Sequence, residues 1–142
     1  MESFADIKDK QPRVFDQGCS SRVILDHVMS KWGVLVLACL SDGTLRWGEL
    51  RRAVDGISEK MLASTLRTLG ADGLVLRESL PTVPPHVEYS LTPLGRELMQ
   101  RMLPLLDWVV DHADGMLADR VSPTAIPSPA GGARVRRPGL AG

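Results

Sequence analysis

Residues 58–72 read SEKMLASTLRTLGAD and carry the clearest structural pattern in the chain. Ser58 fits a helix N-cap, because its hydroxyl can accept a hydrogen bond from a first-turn N–H group that otherwise lacks a partner. Glu59 then places a carboxylate near the positive end of the helix dipole. One stripe of the predicted helix is apolar and holds Met61, Leu62, Thr65, Leu66 and Leu69. The pattern therefore predicts an amphipathic helix packed on a core.

Three further helices are predicted before this stretch. The first begins at Ser20 or Ser21, and the second is Lys31–Leu40, with Ser30 as its N-cap. The apolar run within Lys31–Leu40 would also fit a buried strand, but the cap and the ten-residue length favour a helix. A short third helix covers Arg46–Val54 and ends at a turn, Asp55-Gly56.

Two strands and a long helix are predicted after this stretch. Leu74–Leu80 and His86–Leu91 fit strands, joined by a proline-rich tip that cannot be a regular strand. Thr92 caps a helix of about 25 residues, in which Pro104 is expected to cause a kink. The fold class is therefore mainly α with a small β-hairpin. Two short helices, a tight turn and a hairpin predict a winged helix-turn-helix.

The domain organisation follows from where these patterns begin and end. We predict a flexible N-terminal arm over residues 1–18, a winged-helix domain over 19–118 and a disordered tail over 119–142. The tail has four prolines and four glycines in 24 residues, too few apolar groups for a packed core.

Composition excludes several functional classes. Lys plus Arg and Asp plus Glu both total 17, so net charge alone does not indicate nucleic-acid binding. The longest apolar run, Val34–Leu40, is too short for a membrane span, and the N-terminus has no secretory signal. No metal or cofactor site is predicted, and the chain lacks a phosphate-binding glycine loop and a nucleophile elbow. These observations predict a cytoplasmic protein that is not an enzyme and has no membrane partner.

The winged-helix geometry assigns candidate DNA contacts. On the 58–72 helix they are Ser58, Lys60, Ala63, Ser64 and Arg67. On the preceding helix, Arg46, Arg51 and Arg52 suit phosphate contacts, and Arg77 and His86 flank the wing tip. The alternative is an ordinary solvated face, with Arg51 or Arg52 paired to Glu49 or Asp55. Six basic and six acidic residues lie between Thr44 and Ser90, so affinity would depend on where the charges are placed.

The motifs also resemble the HxlR-type regulators over roughly residues 19–112. The resemblance is carried by Lys31-Trp32, Gly43, Arg46–Leu50, Gly56–Leu62, Leu66-Arg67, Leu69, Asp72–Val75, Arg77, Val83–Thr92 and Gly95. It implies a MarR-like winged-helix homodimer that regulates transcription, with an interface built by the first and last helices. The interface candidates are Val23, Leu105, Leu106, Trp108 and Val109.

Cys19 lies at the position where some members of that family carry a cysteine that senses electrophiles or oxidants. It is also predicted to lie at a helix N-terminus near Arg22, and both features stabilise a thiolate. The alternative is an inert surface thiol. Cys39, within an apolar run, is expected to act as a small core residue.

These observations predict a sequence-specific DNA-binding transcriptional regulator, and they favour a repressor. Its partners would be a second copy of the chain and a near-palindromic operator in double-stranded DNA. The sequence leaves open a switch by thiol oxidation, by electrophiles or by a small-molecule effector. The alternative function is a winged-helix module that binds proteins without binding DNA.

Overall fold

The computed structural model describes residues 3–13 and 16–121. These residues form six helices and three strands. In chain order they are α1 (Phe4–Lys10), α2 (Ser20–Val28), α3 (Lys31–Leu40), β1 (Leu45–Arg46), α4 (Trp47–Ala53), α5 (Glu59–Ala71), β2 (Val75–Leu80), β3 (His86–Leu91) and α6 (Pro93–Val121).

The chain divides into two compact units, with the boundary between Gln100 and Arg101 inside α6. The first unit holds α1 to α5, the three strands and the start of α6. The described part of the second unit is the rest of α6, which extends to Val121 and contains Pro104. Most of the predicted disordered tail, residues 122–142, lies outside the described residues.

The helices α3 and α5 begin where their predicted caps place them. The Ser30 hydroxyl accepts the N–H of Gly33 at 3.1 Å, and the Ser58 hydroxyl accepts the N–H of Met61 at 3.0 Å. Each cap satisfies an N–H group that has no partner inside the helix. The core of the first unit includes Val36, Leu37, Leu40, Leu50, Leu62, Leu66 and Leu69, all buried.

The predicted hairpin is the β2–β3 pair, and the sheet has a third strand that the sequence did not reveal. The strand order is β1-β3-β2, with both pairings antiparallel. Because β1 is only two residues long, it contains no alternation that a pattern could detect. Its pairing with β3 places Leu45 opposite Tyr89 and Arg46 opposite Glu88.

A helix, α1, lies within the N-terminal arm, where the sequence analysis predicted no regular element. Ser3 and Asp6 form a capping box, in which Asp6 accepts the Ser3 N–H at 2.7 Å and Ser3 accepts the Asp6 N–H at 3.2 Å. These bonds also lower the pKa of Asp6, with the backbone bond to Ser3 as the main cause. The helix is only seven residues long, too short for a repeating apolar period that would have predicted it.

The first turn of α6 lies against the loop that begins β2. The Thr92 hydroxyl donates to the carbonyl of Gly73 at 2.6 Å and accepts the N–H of Gly95 at 3.0 Å. Gly73 has a φ of 79°, a left-handed conformation that favours glycine. The Thr92 hydroxyl therefore connects the loop after α5 with the first turn of α6 through hydrogen bonds.

No single helix in the described ranges is long and apolar enough to cross a membrane. The pair α2 and α3 meets the length and composition criteria only when taken together, and the two helices are bent by 70°.

Candidate nucleic-acid interface

The outward side of α5 carries the predicted base-reading residues. Lys60, Ser64 and Arg67 are exposed and Ala63 is half-buried. The opposite side packs into the core, with Leu62 completely buried and Leu66 and Leu69 nearly so. The helix therefore packs on the core through one face and exposes the other face to solvent. A helix that enters a major groove needs such an exposed face.

Ser58 precedes this surface, and its hydroxyl accepts one helix N–H while its O–H can still donate. Its oxygen accepts the N–H of Met61, so the side chain acts as the helix cap. The cap fixes where α5 begins, and the contact of Ser58 with DNA stays a prediction.

The arginines of α4 and its N-cap border a groove in front of α5. Arg51 pairs with Glu59 on α5 at 3.4 Å, rather than with Glu49 or Asp55. Arg52 lies over Gly48, and a Cβ at that glycine would be 3.4 Å from the guanidinium. Both arginines line a groove of about 480 Å³ between α4 and the start of α5. Arg46 is exposed at the N-cap of α4.

The two wing candidates differ in position. Arg77 lies in the middle of β2, directly opposite Tyr89, so both share the sheet face on which Tyr89 is buried. His86 lies at the tip end of β3. Its Nδ1 is 2.9 Å from the Thr82 hydroxyl and its Nε2 is 3.4 Å from the Glu88 carboxylate.

Two of the six acidic residues counted between Thr44 and Ser90 lie on the wing strands. Glu78 lies directly opposite Glu88, and Glu88 lies opposite Arg46 on its other side. Facing carboxylates repel each other and also oppose the approach of a phosphate backbone. Only strand register places these residues together, because they are far apart along the chain.

The positive charges on this surface are mostly unpaired. Within residues 3–13 and 16–121, the basic side chains of the surface that make no ion pair are Arg46, Arg52, Lys60, Arg67 and Arg77. Unpaired cations are available to phosphates and base edges without first breaking an internal contact. Although the charge totals of the chain are equal, this surface therefore has five basic side chains that can contact DNA without first breaking an ion pair within the described ranges.

Another contact absent from the sequence analysis anchors the end of α5. His27 of α2 lies with its Nδ1 2.7 Å from a carboxylate oxygen of Asp72, the C-cap residue of α5. The two residues are 45 positions apart, so no local pattern could have found the contact. It links the first helix of the domain to the helix that carries the candidate base contacts.

The thiol of Cys19 lies at the N-cap of α2, where the sequence placed it. Partial desolvation by itself raises the pKa of this thiol. Hydrogen bonds lower the pKa by a larger amount: they come from the Gln11 amide, which donates to Sγ at 2.9 Å, and from the N–H groups of Ser21 and Arg22. The net pKa lies below that of an ordinary thiol. A cavity of about 290 Å³ lies beside Cys19 and is also lined by Gln11, Arg13, Asp16, Gln17, Gly18 and Ser20.

Cys39 has the opposite environment. From the sequence, Cys39 is expected to be a core residue, but in the structure it is only half-buried. Burial and the nearby charge of Asp42 raise its pKa. The two thiols of the chain therefore differ in the direction of their pKa shifts.

The predicted interface residues lie on two helices. Val23 of α2 is exposed, as are Leu105, Trp108 and Val109 of α6, while Leu106 is half-buried. The Trp108 ring stacks on His112 with ring centroids 4.4 Å apart. Each helix thus carries large apolar side chains that the described residues leave open to solvent.

Comparisons with known proteins identify this class of fold. The profile of the HxlR-like helix-turn-helix family matches residues 27–116. The HTH-type transcriptional regulator YtfH of Escherichia coli is 48% identical over 111 residues, covering 78% of this chain and 88% of that protein.

Solved structures agree with the sequence comparisons. The transcriptional regulator ytfH from Salmonella typhimurium has 50% identity and a TM-score of 0.71, covering 76% of this chain and 96% of that one. The oxidised form of the redox regulator HypR has 40% identity and a TM-score of 0.61, covering 66% of this chain and 96% of that one.

The fold is a winged helix-turn-helix of the kind found in transcriptional regulators. The chain belongs to the HxlR-like helix-turn-helix family. It is a DNA-binding transcriptional regulator, as the motif string predicted.

Proposed function

We propose that α5 is the recognition helix and that Lys60, Ala63, Ser64 and Arg67 contact base edges in the major groove. The observation that carries this assignment is that α5 is buried on one face only. Leu62, Leu66 and Leu69 anchor one face, while Lys60 and Arg67 extend from the other without carboxylate partners in the described ranges. Arginine can donate two hydrogen bonds to the O6 and N7 of guanine, the most common specific contact of this kind.

The groove between α4 and α5 would hold the DNA backbone. Arg52 and Arg46 are free to contact phosphates, and Arg51 would do so by exchanging its 3.4 Å contact with Glu59 for a phosphate oxygen. Each phosphate neutralised contributes about −0.9 to the slope of log affinity against log salt concentration. Binding that is independent of salt would instead favour a module that recognises proteins.

Arg67→Ala is expected to weaken binding to operator DNA by about 1–3 kcal/mol and to relax the preference at one base position. The reason is the loss of a bidentate contact to a base. Fluorescence anisotropy with the DNA upstream of the chain's own gene, and with variants of that DNA at single positions, measures both quantities.

Two other arginines serve as controls for that substitution. Arg120→Ala removes the same charge from an exposed position on α6, and its affinity should match the parent. Arg52→Ala should weaken binding to all sequences alike and reduce the salt slope by about one. If Arg67→Ala leaves both affinity and base preference unchanged, Arg67 is not a base contact.

We also propose that the regulator acts as a homodimer. Large apolar side chains remain exposed on α2 (Val23, Ile24) and on α6 (Leu105, Trp108, Val109), more than a monomer usually leaves in contact with water. A two-fold dimer would place two recognition helices about 34 Å apart and would require a near-palindromic operator. Sedimentation of the parent and of Val109→Asp tests this, with a dimer expected for the parent and a monomer for the variant.

Thiol chemistry at Cys19 is proposed as one switch of DNA binding. A low pKa and partial exposure favour the reactive thiolate, and the adjoining cavity would admit a small electrophile. The name of HypR, a relative by structure, describes that protein as a redox regulator. Modification at the N-cap of α2 would alter a helix that carries proposed dimer contacts.

Cys19→Ser is expected to abolish any loss of DNA binding caused by diamide or a quinone. Because its pKa is lowered, Cys19 should also react with iodoacetamide at a lower pH than Cys39, whose pKa is raised. Mass spectrometry of peptides labelled across a pH series measures the two rates. Cys39→Ser is the matched control and should respond as the parent does; a Cys19→Ser variant that still responds would exclude Cys19 as the sensor.

A further inference from the structure

The imidazole of His86, at the tip end of β3, has one ring nitrogen whose role is set by its neighbours. The hydroxyl of Thr82 has a single proton, which it donates to the carbonyl of Pro84 at 2.8 Å. The Thr82 oxygen can therefore only accept, and Nδ1 of His86, which is 2.9 Å away, must be the donor. In a neutral ring the proton accordingly lies on Nδ1, which leaves Nε2 as an acceptor.

The other ring nitrogen faces a second acceptor. Nε2 of His86 is buried and has no hydrogen-bond partner among the residues that the structure describes. A carboxylate oxygen of Glu88 lies 3.4 Å from it, and the two side chains are only 22% and 28% exposed. A neutral ring places a lone pair against this carboxylate, whereas a protonated ring places a charged N–H there. Only the protonated ring can therefore satisfy both of its nitrogens in this geometry.

The charged groups around the His86–Glu88 pair lie on the two neighbouring strands. Glu78 of β2 lies directly opposite Glu88, and Arg46 of β1 lies opposite Glu88 on its other side. The residue opposite His86 itself is Leu80, which is apolar. With a neutral ring, these ionisable groups comprise two negative charges and one positive charge. A proton on His86 balances them and so removes a net negative charge that opposes a phosphate backbone.

We propose that His86 is a proton-dependent positioning residue of the wing, in which the protonated ring pairs with Glu88 and holds the wing tip for contact with the DNA backbone. This role rests on the proposed function, because the wing must lie against DNA for its charge to affect binding. Histidine is the side chain that ordinarily changes charge between about pH 5 and pH 8.

The sign of the pH effect follows from which form of the ring the complex favours. Since DNA favours the protonated ring, binding is strongest at the acid end of the histidine range and weakens as the pH rises. By linkage, DNA binding also promotes the uptake of a proton by His86.

The first test follows the protonation of His86 without DNA, by proton–nitrogen correlation spectra of the imidazole rings across a pH series. His86→Gln identifies the signals of this ring. At high pH the neutral ring should carry its proton on Nδ1, and at low pH both nitrogens should be protonated. Glu88→Gln removes the carboxylate and offers an amide N–H to Nε2, so His86 should take up its proton at a lower pH than in the parent.

Two results of this test would overturn the proposal. One is a neutral ring that carries its proton on Nε2, since the contact with Thr82 would then differ from that in the structure. The other is proton uptake at the same pH in the parent and in Glu88→Gln, since Glu88 would then not act on the ring.

The second test measures the affinity for operator DNA by anisotropy at about pH 8 and about pH 6, near the two ends of the histidine range, at constant ionic strength. We expect the parent to bind about fivefold more tightly at the lower pH, the low end of typical coupling between two sites. His86→Gln, which stays neutral, should lose most of this difference. His86→Lys, which is charged at both pH values, should bind at the higher pH as tightly as the parent does at the lower pH.

The matched control is His112→Gln, which removes an exposed histidine of α6 and should keep the pH dependence of the parent. A parent that binds DNA equally at both pH values rejects the role of His86 alone, as does a His86→Gln variant that keeps the pH dependence. A parent that binds no DNA at either pH rejects the proposed function itself.

Discussion

Replacement of Leu62 by alanine is expected to lower the free energy of unfolding by about 2–5 kcal/mol. The Leu62 side chain is completely buried on the core face of α5. Its truncation removes apolar contacts and leaves a cavity that the surrounding helices fill only in part. Since small domains are stable by only about 5–15 kcal/mol, the loss is a large share of the total.

Urea denaturation followed by circular dichroism measures this effect as a lower midpoint with an unchanged slope. The protein concentration must be the same for all variants, because subunit association changes the apparent stability. Met61→Ala is the matched control, because the Met61 side chain, next to Leu62 in the sequence, is 41% exposed. Its truncation should therefore lower the free energy of unfolding by much less. Equal losses for the two variants would show that α5 does not pack through Leu62.

Gly95→Ala is expected to destabilise the fold by about 3 kcal/mol, the upper end of the usual cost of overpacking. A Cβ at this position would lie within 2.2 Å of the backbone carbonyl oxygen of Leu74. That oxygen is held in place, because it also accepts the N–H of Thr92 at 3.0 Å. The methyl group could be accommodated only by moving the first turn of α6 away from the start of β2.

Gly115→Ala is the matched control for this substitution. Gly115 also lies in α6, but beyond its own turn of the helix no atom of the described residues lies within 4 Å of where its Cβ would be. Alanine there should stabilise the helix by up to about 1 kcal/mol, since glycine has the lower helix propensity. The two glycine-to-alanine substitutions in one helix should therefore shift the thermal midpoint in opposite directions. A stabilised Gly95→Ala variant would contradict the close approach of α6 to Leu74.

Local signals predicted most of the helices and both strands of the hairpin. Ser30 and Ser58 were predicted as N-caps, and both hydroxyls accept the N–H group three residues later. The boundaries of Lys31–Leu40 and His86–Leu91 agree with the prediction. Caps and periodicity depend on neighbours within about four positions, so they can be detected in the sequence alone.

The missed elements lack such local signals. The strand β1 exists because two residues pair with Tyr89 and Glu88, more than 40 positions later. The helix α1 is only seven residues long, too short for an apolar stripe to repeat. Its capping box, formed by Ser3 and Asp6, was the one signal that could have revealed it.

In the candidate site, too, some features follow from local signals and others from contacts between distant segments. The outward position of Lys60, Ser64 and Arg67 follows from helical periodicity, and the structure places all three in solvent. The pairing of Arg51 with Glu59 and the row of Arg46, Glu88 and Glu78 depend on tertiary contacts and strand register. Arg77 lines a cavity beside Tyr89, and this position could be predicted only by knowing the register of β2 against β3.

Residues 58–72 were predictable as a capped, amphipathic helix from local signals, and the motifs of the chain indicated the family. It could not determine which charges near that helix are free, because pairing depends on side chains brought together from distant segments. Only the tertiary structure showed that the outward face of α5 continues into an apolar cavity beside the wing. The physical reason is that caps and apolar stripes arise from neighbouring residues, whereas cavities and ion pairs arise where separate elements pack.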